Sequence, residues 1–229
     1  YRICADRDEV YACRRIGDYY LDGIVVERDL IEAKHWYEKA AEQNDLDAMQ
    51  KLAYIYVVGE SVAPNYEKAS KLSEEPLKKD MAVAQYVKAF LCENGFYERK
   101  QPKVAEQYYI KSAEQGFEPA KEPAALVQYK RSGQIDDLLK LKTIKRGKTN
   151  YILGTEYING TLVKKNVKKG LSYLTAAASQ GSSEAYLALG KLYKEGKQVK
   201  RNNRKAQNYF KDAAALGNKE AEQYLQSNK

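Results

Sequence analysis

The side chains equipped for proton transfer, nucleophilic attack or metal binding are few. There is one histidine, His35, and there are three cysteines, Cys4, Cys13 and Cys92, against a background of 31 Asp and Glu. An imidazole titrates near neutrality and can relay a proton, and a thiolate can attack, ligate a metal or join a disulfide. Either needs convergent partners, and the spacing supplies none. The chain has no HExxH, no CxxC, no P-loop and no GxGxxG opening a helix after a strand. His35 stands beside Trp36 at what reads as a helix-face position, and no spacing of the carboxylates singles out a catalytic pair. The expectation is a protein that is not an enzyme, holds no cofactor or metal, and works by binding other molecules.

What positions these residues is a repeat. Ala12, Ile16, Gly17, Tyr20 and Gly23 recur with the same spacing as Ala185, Leu189, Gly190, Tyr193 and Gly196. The frame returns as Ala48, Leu52, Ala53, Tyr56 and Gly59 and as Thr149, Leu153, Gly154, Tyr157 and Gly160. A weaker copy reads Ala84, Lys88, Ala89, Cys92 and Gly95. The anchors fall at 12, 48, 84, 120, 149, 185 and 221, with every interval 36 residues except the 29 between 120 and 149. A period of this length marks stacked helical hairpins.

The anchor and the residues four and eight positions later share one helical stripe, so each first helix buries Ala, Leu and Tyr. The small residue one position after the Leu lets a second helix come close, and the closing Gly suits a left-handed helix end. A polar loop follows. The second helix then opens at Asp29, Asn65, Asn166 or Asn202, side chains that accept from free backbone N–H groups, and Asp29 with Glu32 has capping-box spacing. Ala33, Trp36, Tyr37, Ala40 and Ala41 recur on later second helices, for example as Ala206, Tyr209, Phe210, Ala213 and Ala214. The aromatic anchors fill the groove between hairpins and the alanine pairs allow tight helix contacts. On this frame Tyr20, Tyr56, Tyr157 and Tyr193 are expected to be equivalent buried rings, and Cys92, in a tyrosine slot, to be core.

The two frames and their period resemble Sel-one-like repeats (SLR), relatives of tetratricopeptide repeats, over nearly the whole chain. The resemblance implies an all-α, right-handed α/α superhelical solenoid: one domain over 1–229, with units anchored near 12, 48, 84, 120, 149 and 185 and a capping helix from about 218. It also implies a scaffold or adaptor with protein or peptide partners. In tetratricopeptide-like solenoids the first helices line a concave groove, and certain offsets from the anchor face it. Here those offsets hold Arg14, Gln50, Tyr86 and Tyr151, then Asp18, Tyr54, Phe90 and Lys191, then Tyr129 and Lys194. Aromatic and Arg side chains dominate binding hot spots; the alternative is that they pack against the next unit. Tyr54, Tyr86 and Phe90 are expected to form one aromatic patch. The tyrosine-rich helices and the irregular unit loosely resemble bacterial envelope lipoproteins of exopolysaccharide export, which implies a periplasmic or outer-membrane-associated setting.

Departures from the frame carry further expectations. Pro76 takes the slot of a paired alanine, so its helix is expected to kink or end early. The unit between Ala120 and Gly147 is short, and Gly133 with Leu138, Leu139 and Leu141 reads as a compact hairpin, a discontinuity within one continuous solenoid, with two separate domains as the alternative. Tyr1, Cys4, Ala5 and Arg7 match a second helix, so the chain is expected to begin inside an earlier unit, as a truncation. Cys4 and Cys13 would then face each other across a turn, either as a disulfide, which implies an oxidising compartment, or as two small buried thiols. Asn159, Gly160 and Thr161 form a glycosylation triplet at a loop. No apolar run approaches the ~20 residues that span a bilayer.

Charge is unevenly spread. Residues 1–137 hold 20 Lys/Arg against 25 Asp/Glu, whereas residues 138–229 hold 19 against 6. The basic part invites a second function, binding of a polyanion such as acidic polysaccharide, with nucleic acid disfavoured. The plainer reading is a solvated basic face.

Overall fold

The computed structural model describes residues 9–141 and 144–226. Among these there are thirteen α-helices and no strand. The chain divides into two compact units, Tyr1–Ala124 and Ala125–Lys229. In the first, hairpins pair α1 (Val10–Asp22) with α2 (Leu30–Ala41), α3 (Leu46–Val58) with α4 (Tyr66–Lys78), and α5 (Ala82–Asn94) with α6 (Pro102–Glu114). Then comes α7 (Glu118–Ser132), followed in the second unit by the single turn α8 (Asp136–Leu139). Two further hairpins pair α9 (Gly147–Asn159) with α10 (Val167–Ser179) and α11 (Ser183–Glu195) with α12 (Asn203–Ala215), and α13 (Lys219–Gln226) closes the order.

Each hairpin is made by the same local chemistry. The Gly after the first helix is left-handed, with φ from 64° to 74° at Gly23, Gly59, Gly95, Gly160 and Gly196. The loop is then pinned back on the helix it left. The N–H of the second helix's N-cap residue donates to the carbonyl of the residue in the tyrosine slot: Asp29 to Tyr20, Asn65 to Tyr56, Gln101 to Cys92, Asn166 to Tyr157 and Asn202 to Tyr193, at 2.8–3.1 Å. The expected caps form, since Asp29, Asn65, Asn166 and Asn202 all accept from N–H groups of the first turn. Because the Asp29 N–H is already used by Tyr20, Glu32 has nothing to cap, and the capping box stays one-sided.

Close approach inside the hairpin depends on the small residue after the Leu. A Cβ on Gly17 would lie 2.6 Å from the Tyr37 ring, and one on Gly190 2.5 Å from that of Phe210. In the first unit Tyr37, Leu52, Ile55, Val87 and Leu91 form the centre of the core, with Cys92 and Tyr109 in a second cluster. In the second unit three smaller clusters centre on Leu138 and Leu153, on Leu174 and Leu189, and on Phe210 and Ala213.

Several expectations need correction. Of the four equivalent tyrosines only Tyr56 is buried; Tyr20, Tyr157 and Tyr193 are half-buried. In the second unit the reason is visible: Tyr157 stacks on Tyr173 and Tyr193 on Tyr209, so one face is covered by a ring and the rest of the slot stays open. Pro76 does not end its helix. α4 runs on to Lys78 for 13 residues, as other hairpin helices do, and the Pro76 carbonyl accepts from Lys79 and Met81 in a closing turn. The shortened unit loses its second helix to the one turn of α8, where Leu138 and Ile135 are buried and Leu139 is exposed. Cys13 and Cys92 are buried, whereas Cys4, the proposed first half-helix and residues 227–229 lie outside the described residues.

Candidate partner-binding surfaces

In the first unit, the polar residues expected in a groove are committed to joining one hairpin to the next. Arg14 on α1 pairs with Asp47 and, at 3.6 Å, with Asp45 at the start of α3. Gln50 is buried on α3, donates to Asp47, and accepts from the N–H groups of Val83 and Ala84. It thereby caps α5, whose own N-cap residue, Met81, makes no side-chain cap. Asp18 is also buried, and takes Lys51 at 2.6 Å, Arg15 at 3.0 Å and the Tyr37 hydroxyl at 2.9 Å. Burial, and then the Asp18 charge, push the Tyr37 hydroxyl well above the ordinary tyrosine value.

The aromatic residues divide into two groups. Tyr54 and Tyr86, from successive first helices, have ring centroids 5.8 Å apart, and Phe117 closes a triangle at 5.5 Å and 5.4 Å from them. Tyr86 also meets Tyr109 at 5.7 Å. All three rings of the triangle are half-buried, and burial, with Tyr86 next, pushes the Tyr54 hydroxyl up to about 12. Phe90 belongs elsewhere: its ring neighbours are Tyr66 at 6.3 Å and Phe96 at 6.0 Å. The single patch of Tyr54, Tyr86 and Phe90 is therefore not formed as expected. Tyr86 and Phe90 share one face of α5 but stand about 6 Å apart along its axis, so they reach different neighbours.

In the second unit Tyr129 and Tyr151 are half-buried and pack on separate apolar clusters. Burial, and then Glu156, raise the Tyr129 hydroxyl. Lys191 pairs with Glu220 at 2.7 Å, and Lys194 lies 4.5 Å from the centre of the Tyr224 ring, so both hold α13 in place. Tyr224 itself stacks on Phe210 at 4.6 Å. A repeated lysine accompanies the tyrosine slots. Lys68, Lys169 and Lys205, each three residues after an Asn cap, sit 5.7, 4.3 and 5.2 Å from the ring centres of Tyr56, Tyr157 and Tyr193.

Phe117 and Glu98 escaped the sequence reading. Phe117 sits outside both frames, in the turn between α6 and α7, so no periodicity pointed to it. In the third hairpin three slots changed together: Lys88 stands for Leu, Cys92 for Tyr, and Glu98 for the loop valine seen at Val26, Val62, Val163 and Val199. Glu98 accepts from Lys88 at 2.6 Å, Ser70 at 3.0 Å and the Cys92 thiol at 3.5 Å. Burial alone would raise the Glu98 carboxyl, but the Lys88 ammonium and the Ser70 hydroxyl outweigh it and hold the group below the usual carboxylate range. Burial pushes the Cys92 thiol up to about 11, which makes it a poor nucleophile. Among the described residues no three His, Cys, Asp or Glu side chains are grouped to hold a metal, and no helix is long and apolar enough to cross a membrane. His35 is exposed and meets the edge of Trp36 at 5.5 Å.

Known proteins share this architecture. A family model described as the Sel1 repeat matches residues 10–45, 46–74, 82–117, 148–182 and 183–218, which omits the irregular stretch around α7 and α8. Among solved structures, a protective antigen present in uropathogenic Escherichia coli strains, displaying an SLR fold, superposes with a TM-score of 0.66 at 26% identity, over 100% of this chain and 51% of that one. A Sel1 repeat protein from Oxalobacter formigenes gives a TM-score of 0.55 at 24% identity, over 91% of this chain and 88% of that one. Chitin synthase regulatory factor 3 of Schizosaccharomyces pombe is 38% identical over 88 residues, which is 38% of this chain and 9% of the yeast protein. This chain thus spans roughly half the length of the antigen and a small part of the yeast factor. With five matched repeats across most of its length, the chain belongs to the Sel1 repeat family.

Proposed function

We propose that this chain is a protein-interaction scaffold that holds a peptide or helix of a partner against the first helices of its first unit, at the ring cluster of Tyr54, Tyr86 and Phe117. Sel1 repeat proteins are in general scaffolds for protein interaction and typically not enzymes. The observation that carries the site is the cluster itself. Three half-buried rings, fixed edge to face by one another, keep part of their surface open to solvent. Rings ordered before binding lose little freedom when a partner arrives, and their apolar bodies carry much area per side chain.

Truncating Tyr86 and Phe90 would test packing as much as binding, because both rings touch core neighbours. Replacing Tyr54 or Tyr86 singly with a benzophenone amino acid keeps an aromatic ring in the slot and adds a photoreactive carbonyl. Irradiation is expected to give the same cross-linked partner from both positions and none from the same residue placed at exposed His35. Equal capture at position 35, or no adduct at 54 and 86, overturns the reading. The narrower setting, a bacterial cell-envelope or exopolysaccharide-export complex, is supported by the tyrosine-rich first helices and the irregular fourth unit. Recovery of the natural protein in the cytosolic fraction of its host overturns that setting without touching the scaffold reading.

A further inference from the structure

The second unit carries a surface that the ring cluster does not explain. Its two hairpin loops and the turns that follow them, residues 160–172 and 196–211, contain no Asp or Glu. Lys164, Lys165, Lys168, Lys200, Arg201 and Arg204 are all exposed there. None of the six forms an ion pair among the described residues, whereas Lys140, Lys191 and Lys197 of the same unit do. The corresponding loops of the first unit include carboxylates that are already paired, such as Glu60 with Arg28 and Glu98 with Lys88.

Beside the second loop opens a hollow of about 270 Å³, bounded by Lys197 and Gln198 of that loop and by Asn159, the last residue of α9 before the first loop. Its floor is apolar: Ile158, Leu174, Ala188 and Leu192. At its edge the Gln198 Oε1 is buried without a hydrogen-bond partner. An acceptor left so is costly unless something donates to it. The single carboxylate on the rim, Glu195, is met by Lys197 at 3.7 Å.

We infer that the second unit docks an acidic segment of a partner protein, which lays carboxylates along loops 160–166 and 196–202 and sets one apolar side chain into the hollow beside the latter loop. A backbone N–H of that segment meets Gln198 Oε1. Three observations converge on a polypeptide: a field of unpaired cations, an apolar socket, and an orphan acceptor suited to an amide donor. Single-stranded nucleic acid fits less well. It would need open aromatic faces for its bases, and the nearby tyrosines are paired ring on ring, Tyr157 with Tyr173 and Tyr193 with Tyr209. A second copy of this chain fits less well too, because the acidic first unit spends Asp18, Asp45, Asp47, Glu60 and Glu98 on its own cations. The inference adds a second surface and shares with the scaffold reading only the expectation of a protein partner.

The test uses the full chain and a short labelled Asp/Glu-rich peptide with a central Leu pair, followed by fluorescence anisotropy. A matched peptide with Gly in place of Leu, a single-stranded oligonucleotide and heparin of equal charge are the comparisons. The Leu peptide is expected to bind about tenfold tighter than the Gly peptide, the scale of one buried apolar side chain. Added salt should weaken both alike. Filling the hollow with Ala188→Phe is expected to erase the Leu preference and leave the salt dependence. Reversing Lys164, Lys165, Lys200 and Arg201 to Glu is expected to abolish binding of the acidic peptide and to confer binding of a Lys-rich version of it, which a misfolded variant would not do. Equal binding of the Leu and Gly peptides, tighter binding of oligonucleotide or heparin, or an unaltered reversed variant overturns the inference. Adducts at Tyr54 and Tyr86 would then stand on their own; conversely, their absence leaves the peptide result intact.

Discussion

The two units use one repeat frame and treat their charges in opposite ways. In the first, Tyr1–Ala124, 18 Lys/Arg face 23 Asp/Glu, and several are paired: Arg14 to Asp47 and Lys51 to Asp18 between hairpins, and Lys88 to Glu98 within one. In the second, Ala125–Lys229, 21 Lys/Arg face only 8 Asp/Glu. There Lys169 and Lys205 lie over tyrosine rings, Lys191 pairs with Glu220, and Lys164, Lys165, Lys168 and Lys200 stand exposed around the loops. The difference teaches that the fold is specified by few positions per hairpin: the small residue that admits a ring, the left-handed Gly, and the cap whose N–H returns to the preceding helix. Everything else is available for recognition.

The largest effects should come from the frame and should be alike in both units. Tyr37→Ala and Phe210→Ala remove the same buried ring from the two units. Each is expected to cost about 3–5 kcal/mol in urea denaturation. Tyr37→Ala should be the worse, because it also strips Asp18 of a hydroxyl donor. Trp36, the only tryptophan, reports the first unit by fluorescence, and far-UV circular dichroism follows the helices of both units together, so the second is read as helix loss that the Trp36 signal does not share. Equal and small losses would show that the ring slot is not what holds the hairpins. Next come Gly17→Ala and Gly190→Ala, which drive a methyl group into Tyr37 and Phe210 respectively. About 1–3 kcal/mol of overpacking is expected in each, measured the same way.

A smaller effect sharpens the contrast within the first unit. Glu98→Val leaves the Lys88 ammonium half-buried without its carboxylate, at about 1–3 kcal/mol. Changing Lys88→Leu, Cys92→Tyr and Glu98→Val together restores the slots of the other hairpins and is expected to be neutral or stabilising, as for apolar replacement of a whole buried pair. The pH dependence separates the two designs. The Glu98 carboxyl is held below its ordinary value, so its contribution is fully present above that value and is lost as pH falls through the lower folded one. The wild type should therefore lose more stability in acid than the triple variant. Identical acid profiles would remove Glu98 from the account.

How far these features were legible in the sequence follows from their range. The hairpins, the Gly ends and the Asn caps rest on contacts within one period, and their spacing alone predicts them. Tyr54 and Tyr86 were placed on facing helices by the same spacing. Phe90 was grouped with them wrongly, since a shared helix does not mean a shared neighbour. Gln50 and Arg14 were read as groove residues because nothing local marks a side chain that caps or pairs with the next hairpin. Pro76 was expected to stop α4 on local grounds, and packing with a closing turn carried the helix past it. The hollow under Gln198 depends on residues from α9, α10 and α11 at once, a combination that no single frame displays.

The most direct test of the claim that frame and surface are separable replaces residues 197–202 with the corresponding first-unit stretch, Glu60 to Asn65, and does the same at 161–166. Both ends of each graft keep the Gly and the Asn that the hairpin needs. Melting temperature and acidic-peptide affinity are then measured on one sample. The account predicts a melting temperature close to that of the unaltered chain, as for surface changes within about 0.5 kcal/mol, together with loss of peptide binding. A grafted protein that unfolds, or one that binds the peptide as before, would contradict it.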